Sequence, residues 1–283
     1  MCVIWGIPYL MIRVAVRELT PATLVFGRAA LATLILLPVA AWRRELAPLR
    51  PYWRALLAFA AVEIAVPWLL LAKAEQHLTS SLTGLLIAAT PLVGAAITAV
   101  TGDDDRLGAR RLGGLLLGLV GVAAIVGLDA NGTSAVALVE MACVATCYAA
   151  GPIILTRSLR ELPNLGVIAA SVTLCAIGYA PLAAVALPSS IPAGRVLLSV
   201  AGLAVVCTAV AFLVFFELIA EVGPVRATVI TYVNPAVAAL VGVTILSESF
   251  TAGMGVGFAL VLAGSVLATR RPREPQALLA TER

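Results

Sequence analysis

An ionisable side chain in the middle of a long apolar run costs at least a few kcal/mol in hydrocarbon unless it is paired or hydrated, so it marks a place where charge chemistry is expected. Arg28, Glu63, Glu140, Glu217 and Glu248 are such residues. The chemistry open to them is holding a charged ligand or passing a proton. Arg28 lies about six residues in from one end of its run and Glu63 about nine from the same-side end of the next, depths of about 9 and 13 Å at roughly 1.5 Å per residue. An arginine side chain spans that difference. An Arg28–Glu63 ion pair that opens and closes in a working cycle is one expectation, and a static pair or an arginine snorkelling to the interface is the other. Glu140 is followed by Cys143, Cys147 and Gly151 at helical spacings. That small, polar stripe suits a cavity wall or close helix packing equally. With His77, the single histidine, at the edge of a run, no metal site is expected from the two cysteines. Glu217 sits near the end of its run, within reach of headgroups. Glu248, followed by Ser249 and Thr251, fits an interfacial carboxylate or an anion at the N-terminus of the next helix.

Pro91 and Pro235 each remove a backbone donor inside an apolar run, leaving carbonyls near Thr90 and Asn234 that must find partners or line a wet cavity. The alternative is a pair of kinks that only shape packing. Trp5, Tyr9, Trp68, Tyr148 and Tyr232 are placed to enclose a ligand, although Tyr9 and Trp68 also suit an interfacial belt, as Trp42, Tyr52 and Trp53 do.

The elements that must position these residues follow from composition. Of 283 residues, 61% are hydrophobic and 12% charged, and mean hydropathy is +1.06, which excludes an ordinary soluble protein. Spans are expected near residues 2–16, 22–42, 53–72, 79–100, 108–128, 134–156, 165–187, 196–219, 225–246 and 252–269. Ten spans of about 20 residues leave roughly 80 for all loops, too few for a soluble catalytic domain. The fold class is an all-α integral membrane protein. Fourteen of the 19 Lys+Arg fall on one side, Arg43, Arg44, Arg110 and Arg157 among them, against Arg13, Arg17, Lys73 and Arg195 on the other. Both termini are therefore expected in the cytoplasm. The net charge of +4 resides in these short loops, so no nucleic-acid partner is expected.

An offset of 143 places Arg17-Glu18-Leu19 on Arg160-Glu161-Leu162, Trp5 on Tyr148, Pro38 on Pro181, Gly114 on Gly257 and Gly121 on Gly264. At 144, Pro91 falls on Pro235 and Asp104 on Glu248. Two homologous halves, residues 1–132 and 133–271, with a cytoplasmic tail at 272–283, are the reading. With five spans each, the halves enter the membrane in opposite senses, an inverted-topology repeat. Trp5 has fewer residues ahead of it than Tyr148 has, so the first helix is expected to be truncated and the natural start to lie upstream of Met1, the alternative being a short, tilted or locally thinned first span.

These features resemble the EamA-type transporters of the drug/metabolite transporter superfamily. Carrying the resemblance are Trp5-Gly6 with Pro8, Glu18-Leu19-Thr20-Pro21 before a span containing Arg28, Pro91, then Gly223-Pro224, Ala227-Thr228, Tyr232, Asn234-Pro235 and Glu248 before a glycine-rich last span. The chain departs from the pattern at Asp103-Asp104-Asp105, where the family's first repeat has a Gly-Glu pair. The resemblance implies an alternating-access secondary transporter of small metabolites in the cytoplasmic membrane, often an exporter of amino acids or related compounds, with a central cavity between the halves. Its partners are a small-molecule substrate and the bilayer, with no cofactor; Glu63 and Glu140 are the candidate proton carriers. A membrane-embedded enzyme is disfavoured by one histidine and the lack of HExxH or G-x-S-x-G. A non-transporting scaffold or passive channel is the remaining alternative, and the sequence leaves substrate, direction and oligomeric state open.

Overall fold

The computed structural model describes residues 1–100, 108–127, 134–222 and 230–269. The motif residues Asp103-Asp104-Asp105, Gly223-Pro224 and Ala227-Thr228, and the tail, lie outside them. All regular structure among the described residues is helical. The first span comprises α1 (Cys2–Gly6) and α2 (Pro8–Ala15), and the second is α3 (Pro21–Trp42). The third runs from a 3-10 turn (Ala47–Tyr52) through α4 (Trp53–Phe59), a π-helical segment (Ala60–Ala65) and α5 (Val66–Ala74). The fourth is α6 (Ser80–Ile87) and α7 (Thr90–Val100), followed by α8 (Ala109–Gly127), α9 (Ala135–Ser158) and α10 (Asn164–Val185). The eighth joins α11 (Gly194–Ala204), a second π-helical segment (Val205–Val210) and α12 (Ala211–Val222). The last two spans are α13 (Ile230–Leu246) and α14 (Ala252–Thr269). Eight spans are long and apolar enough to cross a bilayer, while the first, Cys2–Ala15, and the ninth, Ile230–Leu246, are shorter apolar helices.

Local chemistry sets where the helices begin. Thr20, Thr79, Ser134 and Thr251 accept from the backbone N–H groups of Thr23, Leu82, Ala137 and Met254, satisfying donors that a helix start leaves orphaned. Pro8 and Pro21 each open a helix, where the missing N–H costs nothing. The fourth span breaks after Ile87, where Ala88 and Ala89 donate to Leu85 and Leu86 in tight i−3 bonds, and Pro91 falls in the first turn of α7. No comparable break occurs at Pro235. Pro235 lies inside continuous α13, and the Asn234 amide, oriented to donate, supplies bonds to the Ile230 and Cys2 carbonyls at 3.0 Å each.

Helix pairs follow the repeat. Antiparallel α8 and α14 pack backbone to backbone: a Cβ on Gly121 would lie 2.7 Å from the Gly257 carbonyl oxygen, and one on Gly114 2.8 Å from that of Gly264. The contact Gly114–Gly264 maps under the 143-residue offset onto Gly257–Gly121, so a pseudo-two-fold axis passes between these helices. Glycine permits this approach because lipid supplies no hydrophobic force and close packing must hold the helices together. The outward faces carry exposed Leu34, Leu119, Leu198 and Leu240, as a bilayer-facing surface requires. Loops at residues 16–20, 75–79, 186–193 and 247–251 gather at one end of the bundle, called here the Glu75 end.

Candidate functional site

The two π-helical segments start 145 residues apart, and Glu63 and Thr208 hold the fourth place in each. A π turn widens the helix and releases carbonyls from their usual i+4 donors, and such segments recur at functional sites. Here the released groups are re-bonded by side chains. The Tyr179 hydroxyl donates to the Ala65 carbonyl at 2.9 Å, and the Thr208 hydroxyl to the Leu203 carbonyl, five residues back, at 2.8 Å.

Against the second segment lies Arg28 of α3, buried at 8% exposure. Its Nε donates to Thr208 Oγ1 at 3.0 Å, and its guanidinium carbon sits 3.6 Å from the centre of the Trp68 ring. This cation–π contact and the hydroxyl replace the hydration the charge has lost. The expected Arg28–Glu63 ion pair is absent: the guanidinium is held by Thr208 and Trp68, and Glu63 Oε2 is buried with no hydrogen-bond partner. Glu63 instead presses its carboxyl against Gly151 of α9, where a side chain would collide with it. Tyr148 of α9 lies within electrostatic reach of both Arg28 and Glu63, and buried Tyr9 of α2 within reach of Arg28 and Tyr148. A buried cation and a buried carboxyl group, with no ion pair between them, therefore both lie within reach of Tyr148.

The other sequence candidates distribute around it. Trp5 packs on Phe215 at 4.8 Å and edge-on to Phe212 at 5.9 Å. Thr90 opens α7 with its hydroxyl buried and unpartnered, next to partly buried Pro91. Asn234 and Pro235 are buried in the contact between α13 and the first span, and Tyr232 is partly buried one turn away. On the α9 stripe, Cys147 is within electrostatic range of Glu63, Glu140 is partly buried and Cys143 is exposed. Glu217 is exposed on α12. Glu248 does not cap the tenth helix, whose cap is Thr251; its carboxylate accepts from Ser80 and Ser81 at the start of α6 instead. Sequence reasoning missed Thr208, Tyr179, Ser80, Ser81 and Glu75. Thr208 had one available signal, since it lies within two residues of the repeat partner of Glu63.

The sequence profile of the EamA-like transporter family matches residues 1–127 and 135–270. The chain is 25% identical over 275 residues to YedA of Escherichia coli, described as an uncharacterized inner membrane transporter, covering 94% of this chain and 87% of that protein. A solved crystal structure has the same fold, with a TM-score of 0.68 at 19% identity over 95% of this chain and 93% of its own.

Proposed function

The chain belongs to the EamA-like transporter family, a multi-pass membrane transporter, and we propose that it moves a small zwitterionic metabolite, an amino acid or a related compound, by alternating access. The observation that carries this reading is the placement of Arg28 and Glu63, buried with no ion pair between them and both within reach of Tyr148. Each group is held out of water without an ion-pair partner, a cost that a matching charge on a ligand would offset. A ligand bringing its own carboxylate to Arg28 and its own ammonium to Glu63 offsets both costs, and a ligand with one charge offsets one. Trp68, Tyr148 and Tyr9 supply the apolar and hydroxyl-bearing walls for the rest of such a molecule.

The proposal includes export as the direction, both termini in the cytoplasm, proton antiport through Glu63 or Glu140, and two repeats spanning residues 1–132 and 133–271 with a tail at 272–283. Positive-inside charge asymmetry supports the orientation. The test is comparative metabolite profiling of medium and cytosol from cells expressing the wild type, an equally abundant Glu63→Gln variant, or an empty vector. An amino-acid-like compound enriched in the medium with wild type and lost with Glu63→Gln is the expected result. Enrichment of the same compound with both proteins would remove Glu63 from the mechanism, and no difference between wild type and vector would overturn export.

A further inference from the structure

A second set of acidic groups lies away from Arg28, at the Glu75 end of the bundle. Glu248 leaves α13 through Ser247, whose φ of 55° is left-handed and turns the chain sharply. The turn aims the Glu248 carboxylate across to the other half of the molecule, at the first residues of α6. There it accepts from Ser80 N at 2.8 Å, Ser81 N at 2.9 Å, Ser80 Oγ at 3.0 Å and Ser81 Oγ at 2.6 Å. These backbone N–H groups belong to the first turn of α6 and have no partner within the helix, so a carboxylate there is favoured by bonding and by the helix dipole. The arrangement is a latch between the ninth and fourth spans, one from each half.

Beside the latch sits Glu75, the residue after α5. It is fully buried, and neither carboxyl oxygen has a hydrogen-bond partner. The groups facing it are Arg13 and Tyr9 of α2 and Glu248 from the α13–α14 connection, with Lys73 and His77 its neighbours in the chain. Arg13 spends a guanidinium N–H on the Glu75 backbone carbonyl rather than on its carboxyl. A fully buried carboxyl beside a second, partly buried one ionises only at a cost. The serine donors all go to Glu248. Burial, and then the Glu248 charge, push Glu75 well above the usual carboxylate range against the lowering influence of Arg13.

We propose that Glu75 is a proton-binding site that controls the Glu248 latch: the proton on Glu75 lets Glu248 hold α6, and its loss releases that end of the bundle. This rests on the alternating-access reading above and places a proton site outside the Arg28–Glu63 region. The sign follows from the raised affinity. The stabilisation that the Glu75 proton gives the closed latch is fully present at the ordinary carboxylate range and is lost as pH rises from there towards the elevated value of Glu75. In the positive-inside orientation the latch faces the outside, so alkaline external pH opens it.

The test needs no substrate. The backbone amides of Ser80 and Ser81 are protected in this structure by the Glu248 carboxylate, so hydrogen–deuterium exchange of a peptide covering residues 79–83 in nanodiscs reads the latch directly. With rates corrected for intrinsic pH dependence, wild-type protection should fall about tenfold or more between roughly pH 5 and pH 9. Glu75→Gln should keep the acid-side protection throughout, and Glu248→Gln should lack it throughout. The same pH-dependent loss in Glu75→Gln, an unchanging wild type, or protection that follows sodium against choline at fixed pH would each overturn the proposal. Should Glu75→Gln fail to fold, infrared spectroscopy of a Glu63→Gln variant, which leaves Glu75 as the fully buried carboxyl, replaces it. A neutral buried carboxyl band that vanishes with rising pH supports the proposal, and its absence at acid pH defeats it. Failure of metabolite export would leave these readings untouched, so the two ideas fail separately.

Discussion

Thr208→Val is the sharpest probe of the central site, because valine matches threonine in shape and removes only the hydroxyl. That hydroxyl makes two bonds, accepting from Arg28 Nε and donating to Leu203 O. A bond to a buried charge contributes about 1.5–3 kcal/mol and a neutral one about 1, so the substitution should cost about 2–4 kcal/mol. At roughly 2–4 °C per kcal/mol for a chain of this size, the thermal midpoint of the purified protein falls by about 4–16 °C. Circular dichroism in detergent measures it. A double-mutant cycle isolates the charged bond: in an Arg28→Met background the same substitution should cost only the neutral share, about 1 kcal/mol. Equal costs in both backgrounds would show that the Arg28–Thr208 bond contributes nothing, and the reasoning that ties Arg28 to the second π-helical segment would fall with it.

Gly121→Ala puts a methyl 2.7 Å from the Gly257 carbonyl oxygen and should destabilise by about 1–3 kcal/mol, whereas Gly113→Ala on the same helix meets nothing within 4 Å and should be neutral or slightly stabilising in the same melting assay. Gly151→Ala forces the Glu63 carboxyl aside; export of the compound found by metabolite profiling should drop at least about tenfold while the protein still inserts and melts cooperatively, and wild-type export would deny Glu63 its position. Tyr179→Phe strips the Ala65 carbonyl of its donor and should cost about 1 kcal/mol, with faster amide exchange in residues 60–70 as the local readout.

Much of the architecture was legible in the sequence because a bilayer restricts it. Apolar runs of about 20 residues with charged punctuation have few solutions, and the ten expected runs correspond to the observed helices. The glycine pairs that matched under the 143-residue offset pack against each other in α8 and α14. The fourth-span break beside Pro91 was also readable, since proline at a helix start is a local rule.

The misses share one physical origin. Spans that are apolar nearly all round carry little periodicity to say which face turns inward, so residues such as Arg28 and Glu63 were given depth but not direction. Depth alone suggested pairing between them. The tertiary structure set their directions through two π-helical segments that no propensity encodes, giving Arg28 to a threonine 180 positions away and Glu63 to a glycine on α9. Glu248 was legible as a helix-capping carboxylate, and only the fold decided which helix: not the adjacent α14, which Thr251 already caps, but α6 from the other half. Glu75 drew no notice in the sequence because a lone carboxylate beside Lys73 and His77 reads as a solvated loop. The approach of α2, α6 and the α13–α14 connection buries it, and burial is a property of neighbours brought from distant sequence, so the dry environment of that carboxyl arises only when the chain closes around it.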